Sequence, residues 1–326
     1  MLRFAMISKW HVHASGYAKF IQNQPDACIT CVWDEEPARG EAWAKELGVD
    51  FEADYDKLLQ REDVDAILVC TPTNMHREVM IKAANAKKHI FTEKVLTLTT
   101  KDADEVIEAI EKNGVKFSIC FPHRCQSRNL FVKQAIESGL VGDVTVLRFR
   151  NCHNGSLAGW LPDYWYDPET TGGGAMMDLG AHGMYMANWL LGEPVRIQSM
   201  FNNYTDVPVE DNSVCTIEFA NKAIAIAETS LVSPFTPVML EVYGTKGVIL
   251  CVNDDVKFQT ADTAKLVDGG WVKAKLPEAL PHPIRQFIDG VCYGKEIIFG
   301  TKEARTLTDM MEKAYIAYKE NREVKF

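Results

Sequence analysis

Short apolar runs separated by helical patterns constrain the first third of the chain more than any other feature. The runs are "RFAMI", "CITCVWD", "DAILVCTP", "KHIFTEK" and "KFSICFP". Between them lie "AKELG", "YDKLLQ", "HREVMIKAANAKK" and "DADEVIEAIEKNG". Val79, Ala83 and Ala86 recur at helical spacing, as do Ala103, Val106, Ile107 and Ile110. Asn113-Gly114 is a pair suited to a left-handed helix end. Strands alternating with helices predict right-handed crossovers and a parallel, doubly wound sheet.

The pattern changes after Phe121-Pro122. A helix is expected near 130–139, then a long alternating strand, "VTVLRFRNCH". An aromatic and glycine-rich loop follows, leading into a helix, "AMMDLGAHGMYMANWLLG". Five strand-like runs come next, among them "AIAIAETSLV" and "VMLEVYG", and read as a mainly antiparallel sheet. Two helices are expected near 284–293 and 303–320. A length of 326 residues suits two domains, and the change of pattern places the boundary near residue 122, giving 1–122 and 123–326. The amphipathic runs of the second part are apolar enough to predict self-association through a sheet face.

Charge and cysteine usage narrow the partners. A net charge of −10 without a basic stripe argues against nucleic acid and anionic membranes. No apolar leader or membrane-length run is present, and the nine scattered cysteines read as reduced thiols in a cytoplasm. Cys28 and Cys31 are three apart on an expected strand, so they point to opposite faces and suit packing better than redox or zinc chemistry.

The stretch "AMISKWHVHASGYAKF" has the strand–turn–helix form of a dinucleotide-binding unit. Ser8, Trp10 and His13 stand where that fingerprint has glycines. Backbone N–H groups at a helix N-terminus still attract a diphosphate. Ser8, Trp10, His11, Val12 and His13 are therefore candidate cofactor contacts, with the indole of Trp10 expected to turn outward. Asp34 ends the second strand, where a carboxylate bonds ribose hydroxyls and repels a 2′-phosphate. This favours NAD over NADP, a preference slightly weakened by Arg39. The plainer reading of Asp34 is a helix cap. Thr71, Pro72 and Asn74 fall at the carboxyl edge of the parallel sheet, where ligands bind, although Asn74 also suits a cap. His76 reads as an ordinary first-turn residue. Glu93 and Lys94 reach the same edge, where a lysine can meet a developing alkoxide or merely form a surface ion pair. Asp178 and His182 are four apart, hence on one helical face, and suit a general base with a carboxylate beside it. A satisfied Asp–His pair is the plainer alternative. A metal site recruiting His123 or His153 ranks third and lacks a ligand motif, so no metal is expected.

Taken in order, "DEEPARGEAWAKELGV", "TPTNMH", "TEKV", "FPHR", "GGGAMMDLGAHGMYMANWLLGEP" and the closing "TKEARTLTDMMEKAYIAYKENREVKF" resemble the Gfo/Idh/MocA oxidoreductases nearly end to end. The resemblance implies an N-terminal Rossmann domain that binds NAD(P) and a C-terminal α/β domain with an open, mainly antiparallel sheet. It also implies activity on sugars, inositols or related polyols, and assembly as a homodimer or homotetramer. By motif position the family's catalytic lysine falls on Lys94 and its D-x-x-x-H pair on Asp178 and His182. Glu93 and Asn74 fall near the nicotinamide side. The sequence departs from the family at the glycine-free loop and at Val95, which replaces the proline of E-K-P. A non-proline cis bond is costly, so Lys94–Val95 is expected to be trans.

These readings converge on an NAD-linked oxidoreductase acting on a secondary alcohol. His182 takes the hydroxyl proton, Lys94 stabilises the alkoxide and Asp178 positions both. Arg124, His153, Trp165 and Tyr166 are candidate substrate contacts. For the two aromatics, plain packing is an equal alternative. The rival reading is a catalytically inactive nucleotide- or sugar-binding regulator of the same fold.

Overall fold

The computed structural model describes residues 1–266 and 268–326. Six short strands come first: β1 (Leu2–Ile7), β2 (Ala27–Trp33), β3 (Asp50–Phe51), β4 (Ala66–Val69), β5 (His89–Thr92) and β6 (Phe117–Ile119). Helices α1 (Ala14–Gln22), α2 (Pro37–Leu47), α3 (Tyr55–Gln60), α4 (His76–Asn85) and α5 (Thr100–Asn113) connect them. All pairings are parallel and the strand order is β3-β2-β1-β4-β5-β6, which is the doubly wound nucleotide-binding order. Local chemistry sets the helix ends. Asp54 accepts from the N–H groups of Asp56 and Lys57 at the start of α3, and Thr99 accepts from Asp102 N–H at the start of α5. Gly114, at φ +62°, closes α5 in the left-handed conformation expected of Asn113-Gly114.

The next stretch holds α6 (Ser127–Glu137), β7 (Val144–Cys152), two single-turn helices, α7 (Gly155–Ala158) and α8 (Pro168–Thr171), and then α9 (Ala181–Leu191). Strands β8 (Pro194–Asn202), β9 (Asn212–Phe219), β10 (Ile224–Ser230), β11 (Met239–Gly244), β12 (Gly247–Val252) and β13 (Asp255–Thr260) follow. The chain ends with α10 (Thr263–Leu266), β14 (Val272–Lys273), α11 (Pro283–Tyr293), α12 (Thr301–Glu320) and β15 (Val324–Lys325). Nine of these strands form one sheet, ordered β14-β13-β12-β11-β7-β10-β9-β8-β15. Within this sheet, among the described residues, only the β7–β10 pair is parallel. Helix α9 covers one face, and a Cβ on its Gly183 would meet Ala227 Cβ at 3.0 Å. The apolar alternation of "AIAIAETSLV" points inward through Ala225, Ala227 and Leu231. The opposite face carries an ion-pair ladder, with Arg148 and Arg150 both donating to Glu228, flanked by the exposed apolar residues Met200, Ile224 and Tyr243. That face also takes the two isoleucines of the run, Ile224 exposed and Ile226 half-buried.

The chain forms two compact units. One comprises Met1–Cys120 and Pro281–Thr308, the other Phe121–Leu280 and Asp309–Phe326. The sequence suggests a single cut near residue 122, but residues 281–308 belong with the first unit. The reason is the apolar stripe of α11. Ile284, Phe287 and Ile288 are fully buried in the Rossmann core, and the Phe287 ring lies 6.0 Å from Phe4 and 5.8 Å from Phe91. Arg285 adds a bidentate bond to Asp26 at 2.7 and 2.8 Å, ahead of β2.

Candidate active site

In the first unit the glycine-free turn is built by Ser8. Its φ is +72°, a left-handed conformation that L residues other than glycine adopt at a cost. The fold supplies compensation. Ser8 N–H donates to Trp33 O at 2.7 Å, and its hydroxyl accepts from Trp10 N–H at 3.0 Å. Ser8 is fully buried, so that hydroxyl serves the turn. Trp10 is also buried, its ring 6.2 Å from that of His11, which corrects the expected outward indole. Burying an indole gains several kcal/mol, and the turn folds around it. Val12 and His13 remain on the surface.

Asp34 stands at the end of β2, with its carboxylate accepting from Lys9 N–H and Glu36 N–H, each at 2.9 Å. It is not the cap of α2, whose N-cap is Glu36. Arg39 closes over it, 2.7 Å from Asp34 and 2.6 Å from Glu35, with Glu36 at 3.4 Å. Three carboxylates around one guanidinium leave this corner net negative, which opposes a 2′-phosphate. Thr71, at the carboxyl edge of β4, is buried, and its Oγ1 has no hydrogen-bond partner among the described residues. An orphaned hydroxyl at that edge fits a bound nucleotide. Pro72 is buried beside it and Asn74 is exposed. Asn74 does not cap α4, which follows Met75 without a side-chain cap.

Glu93 gathers a buried polar cluster in this unit. His13 Nδ1 lies 2.9 Å and His11 Nδ1 3.9 Å from Glu93 Oε1. The Tyr17 hydroxyl donates a short bond to Oε1, and Lys94 N–H donates to Oε2 at 3.0 Å. Burial pushes the Glu93 carboxyl up, but the charges of His11, His13 and Lys94 hold it well below the usual carboxylate range. Lys94 is itself buried. The Lys94–Val95 peptide bond is cis, correcting the trans expectation, which weighed only the intrinsic preference of the amide. His76 is not an ordinary first-turn residue either. It is buried, with Nδ1 at 3.0 Å from Val95 O and 3.1 Å from Leu96 O, and Nε2 at 3.2 Å from Thr71 O. It thereby ties the segment after Lys94 to the edge of β4. Its signal lay in the sequence: a histidine heading a helix just after that edge.

In the second unit the expected helix over 175–192 begins as a π-turn, Met176–Gly180, before α9. The i,i+4 face argument for Asp178 and His182 assumed a regular α-helix, whereas this turn is wider. Glu210 anchors its start. Glu210 Oε1 accepts from Gly174 N–H at 2.9 Å, Met176 N–H at 3.1 Å and the Tyr315 hydroxyl at 2.6 Å, while its carbonyl accepts from Ala175 N–H at 2.8 Å. Burial pushes the Glu210 carboxyl up. Asp178 is half-buried, and its N–H donates to Gly174 O at 2.9 Å. His182 is buried, with Nδ1 at 2.9 Å from the Tyr185 hydroxyl. That hydroxyl also accepts from His123 N–H at 3.3 Å, and the His123 ring stands edge-on to His182 at 4.7 Å. Tyr185 stacks on Phe121 at 4.2 Å. This stack fixes the hydroxyl that orients His182.

The other sequence candidates are spread over this unit. Arg124 lies over the Trp189 ring at 5.2 Å. His153 uses Nδ1 to accept from Gly155 N–H at 3.0 Å and packs 4.7 Å from Trp160. Trp165 and Tyr166 are buried in a short helical turn. Tyr17, Tyr185 and Glu210 were missed by sequence reading. The first two sit four and three residues after candidate histidines, one helical turn away, whereas Glu210 lies in a loop with no local signal.

Comparison with known proteins bears on the family and the fold. Residues 10–121 match a family described as "Oxidoreductase family, NAD-binding Rossmann fold", and residues 130–250 match the GFO/IDH/MocA C-terminal domain. The scyllo-inositol 2-dehydrogenase (NAD(+)) of Bacillus subtilis is 30% identical over 243 residues, covering 70% of this chain and 67% of that protein. The myo-inositol 2-dehydrogenase of Thermotoga maritima is 29% identical over 248 residues, covering 73% and 71%. Among solved structures, GenD2 from gentamicin A biosynthesis, in complex with NAD, superimposes with a TM-score of 0.86 at 23% identity, covering 100% of this chain and 96% of that one. At that identity it speaks to the fold alone. No helix among the described residues is long and apolar enough to cross a membrane.

Proposed function

The chain belongs to the Gfo/Idh/MocA oxidoreductase family, and from that premise we propose that it oxidises, reversibly, a secondary alcohol of a sugar, inositol or related polyol with NAD. The observation that carries the reading is His182, buried on α9 and held at Nδ1 by the Tyr185 hydroxyl. A buried imidazole oriented by a neighbouring hydroxyl suits a general base that takes the substrate's hydroxyl proton. Asp178 positions the substrate hydroxyl. The Lys94 ammonium stabilises charge developing on the substrate oxygen. NAD, when bound, supplies the hydride acceptor. Thr71, Asn74 and the N–H groups at the start of α1 would hold it, with Asp34 at the adenosine end. Arg124 and His153 are assigned to the substrate, while Trp165 and Tyr166 pack the loop that carries such contacts. The sugar or polyol class is supported by the inositol dehydrogenases among the relatives.

The test is a panel of inositols and sugars with NAD, followed by NADH absorbance, on the wild type and on His182→Ala and Lys94→Ala. Losing a general base costs ~10²–10⁴-fold in rate, so each variant should lose turnover while NAD titrations stay near wild type. Full activity in either variant refutes its assigned role. Bound NADH with no turnover on any polyol would instead favour a non-catalytic regulator.

A further inference from the structure

The His11–His13–Glu93 cluster does more than the proposed hydride chemistry requires. Two imidazoles and one carboxylate bring their ligand atoms within 4.8 Å of one another. Glu93 Oε1 is 2.9 Å from His13 Nδ1 and 3.9 Å from His11 Nδ1. Around a tetrahedral ion with bonds of about 2.0–2.1 Å, neighbouring ligand atoms sit roughly 3.4 Å apart. The two separations to Glu93 bracket that value, and closing the imidazole pair onto an ion takes a further shift of at most about 1.4 Å.

The backbone organises the trio. His11 and His13 flank one turn between β1 and α1, fixed by Ser8 at φ +72°, and their rings lie 4.8 Å apart. His13 N–H reaches His11 Nδ1 at 3.2 Å, a long contact that an ion on that nitrogen would replace. Glu93 follows β5, and its carboxylate is aimed by bonds from the Tyr17 hydroxyl and Lys94 N–H. Such outer partners are what orient metal ligands. The Tyr17 hydroxyl also lies 3.3 Å from Cys120 Sγ. His11 and Glu93 are buried, while the His13 side chain is 50% exposed and leaves an entry path.

We propose that His11, His13 and Glu93 form a binding site for one divalent first-row transition ion of the zinc class. The donor set selects that class. Imidazole nitrogens suit zinc, iron, nickel and copper, whereas magnesium and calcium want oxygen. Three protein ligands leave at least one coordination position for water or an anionic oxygen. One carboxylate against a divalent ion leaves a net positive charge at the turn between β1 and α1. The site goes beyond the dehydrogenase reading, and its binding can be measured without turnover.

The test titrates chelator-treated full-length protein with Zn²⁺ by calorimetry and with Co²⁺ by visible absorption. The expected result is one ion per chain, with Co²⁺ d–d bands of the intensity typical of four or five ligands. His13→Ala, at a half-exposed position, should weaken Zn²⁺ at least tenfold with an unchanged circular dichroism spectrum. His11→Ala should do the same, and His153→Ala should have no effect. Absence of stoichiometric binding overturns the proposal, and so does binding that survives unchanged in both His11→Ala and His13→Ala. Neither outcome bears on whether the protein oxidises a polyol.

Discussion

Gly174 fixes the entry to the turn that carries Asp178, and Gly174→Ala is expected to cost both stability and turnover. A Cβ there would lie 2.0 Å from the Glu210 carbonyl oxygen and 2.7 Å from Val209 Cγ2. Carbon and carbonyl oxygen approach to about 3.3 Å, so the two backbones must part by about 1.3 Å. That separation breaks the 2.8 Å bond from Ala175 N–H to Glu210 O and stretches the 2.9 Å bond from Gly174 N–H to Glu210 Oε1. Overpacking costs ~1–3 kcal/mol and a lost hydrogen bond ~1 kcal/mol. The sum, about 2–4 kcal/mol, lowers Tm by roughly 5–15 °C for a unit of this size. A displacement of about 1 Å at a catalytic group costs on the order of 10²-fold in rate, so kcat should fall by that order while NAD affinity holds. Thermal unfolding and steady-state rates on the same preparation read both. Gly16→Ala is the control, because nothing lies within 4 Å of its Cβ, and it should stabilise α1 by ~0.5–1 kcal/mol. A Gly174→Ala protein with wild-type Tm and turnover would refute the reasoning.

Other changes test the remaining parts. Trp10→Gly empties a buried site and should cost ~3–5 kcal/mol in urea unfolding; an unchanged midpoint would mean that the indole does not pack as described. Asp34→Ala removes one of three carboxylates around Arg39 and should narrow the preference for NAD over NADP in calorimetric titrations, and equal affinities already in the wild type would contradict the charge argument. Burial lowers the His76 pKa despite the carbonyls of Leu96, Thr71 and Val95 around the ring. Below about pH 6.5 the unfolded chain takes up a proton that the folded state resists. The His76 contribution is therefore full above that pH and declines as pH falls. His76→Gln should flatten the fall in the urea midpoint between neutral and mildly acidic pH, and an identical pH profile in the variant would refute the assignment.

How far the sequence reveals this protein depends on whether a feature is local. Apolar runs such as "DAILVCTP" and the alternation in "VTVLRFRNCH" are local and periodic, so the parallel and mainly antiparallel sheets could be read directly. Thr71, Asp34, Glu93 and Lys94 could be placed just past strand ends because such ends are identifiable from the pattern. The placement of α11 could not, since an apolar stripe of Ile284, Phe287 and Ile288 fits any core. Trp10 was misjudged because reserving space for a ligand was weighed above burying an indole. Glu210 was invisible because its partners, Gly174, Met176 and Tyr315, are brought to it only by the fold. The π-turn at Met176–Gly180 has the same residue pattern as an α-helix, so its altered spacing of Asp178 and His182 left no trace in the sequence.

The most direct test of the account follows NADH absorbance as purified protein is mixed with NAD and, separately, with myo-inositol, scyllo-inositol and a series of aldoses, alongside the His182→Ala variant. Steady NADH formation with at least one of these alcohols, lost in His182→Ala while NAD still binds, is the expected result. Tight NAD binding with no NADH from any of them, or equal rates in the variant and the wild type, would contradict a polyol dehydrogenase whose base is His182.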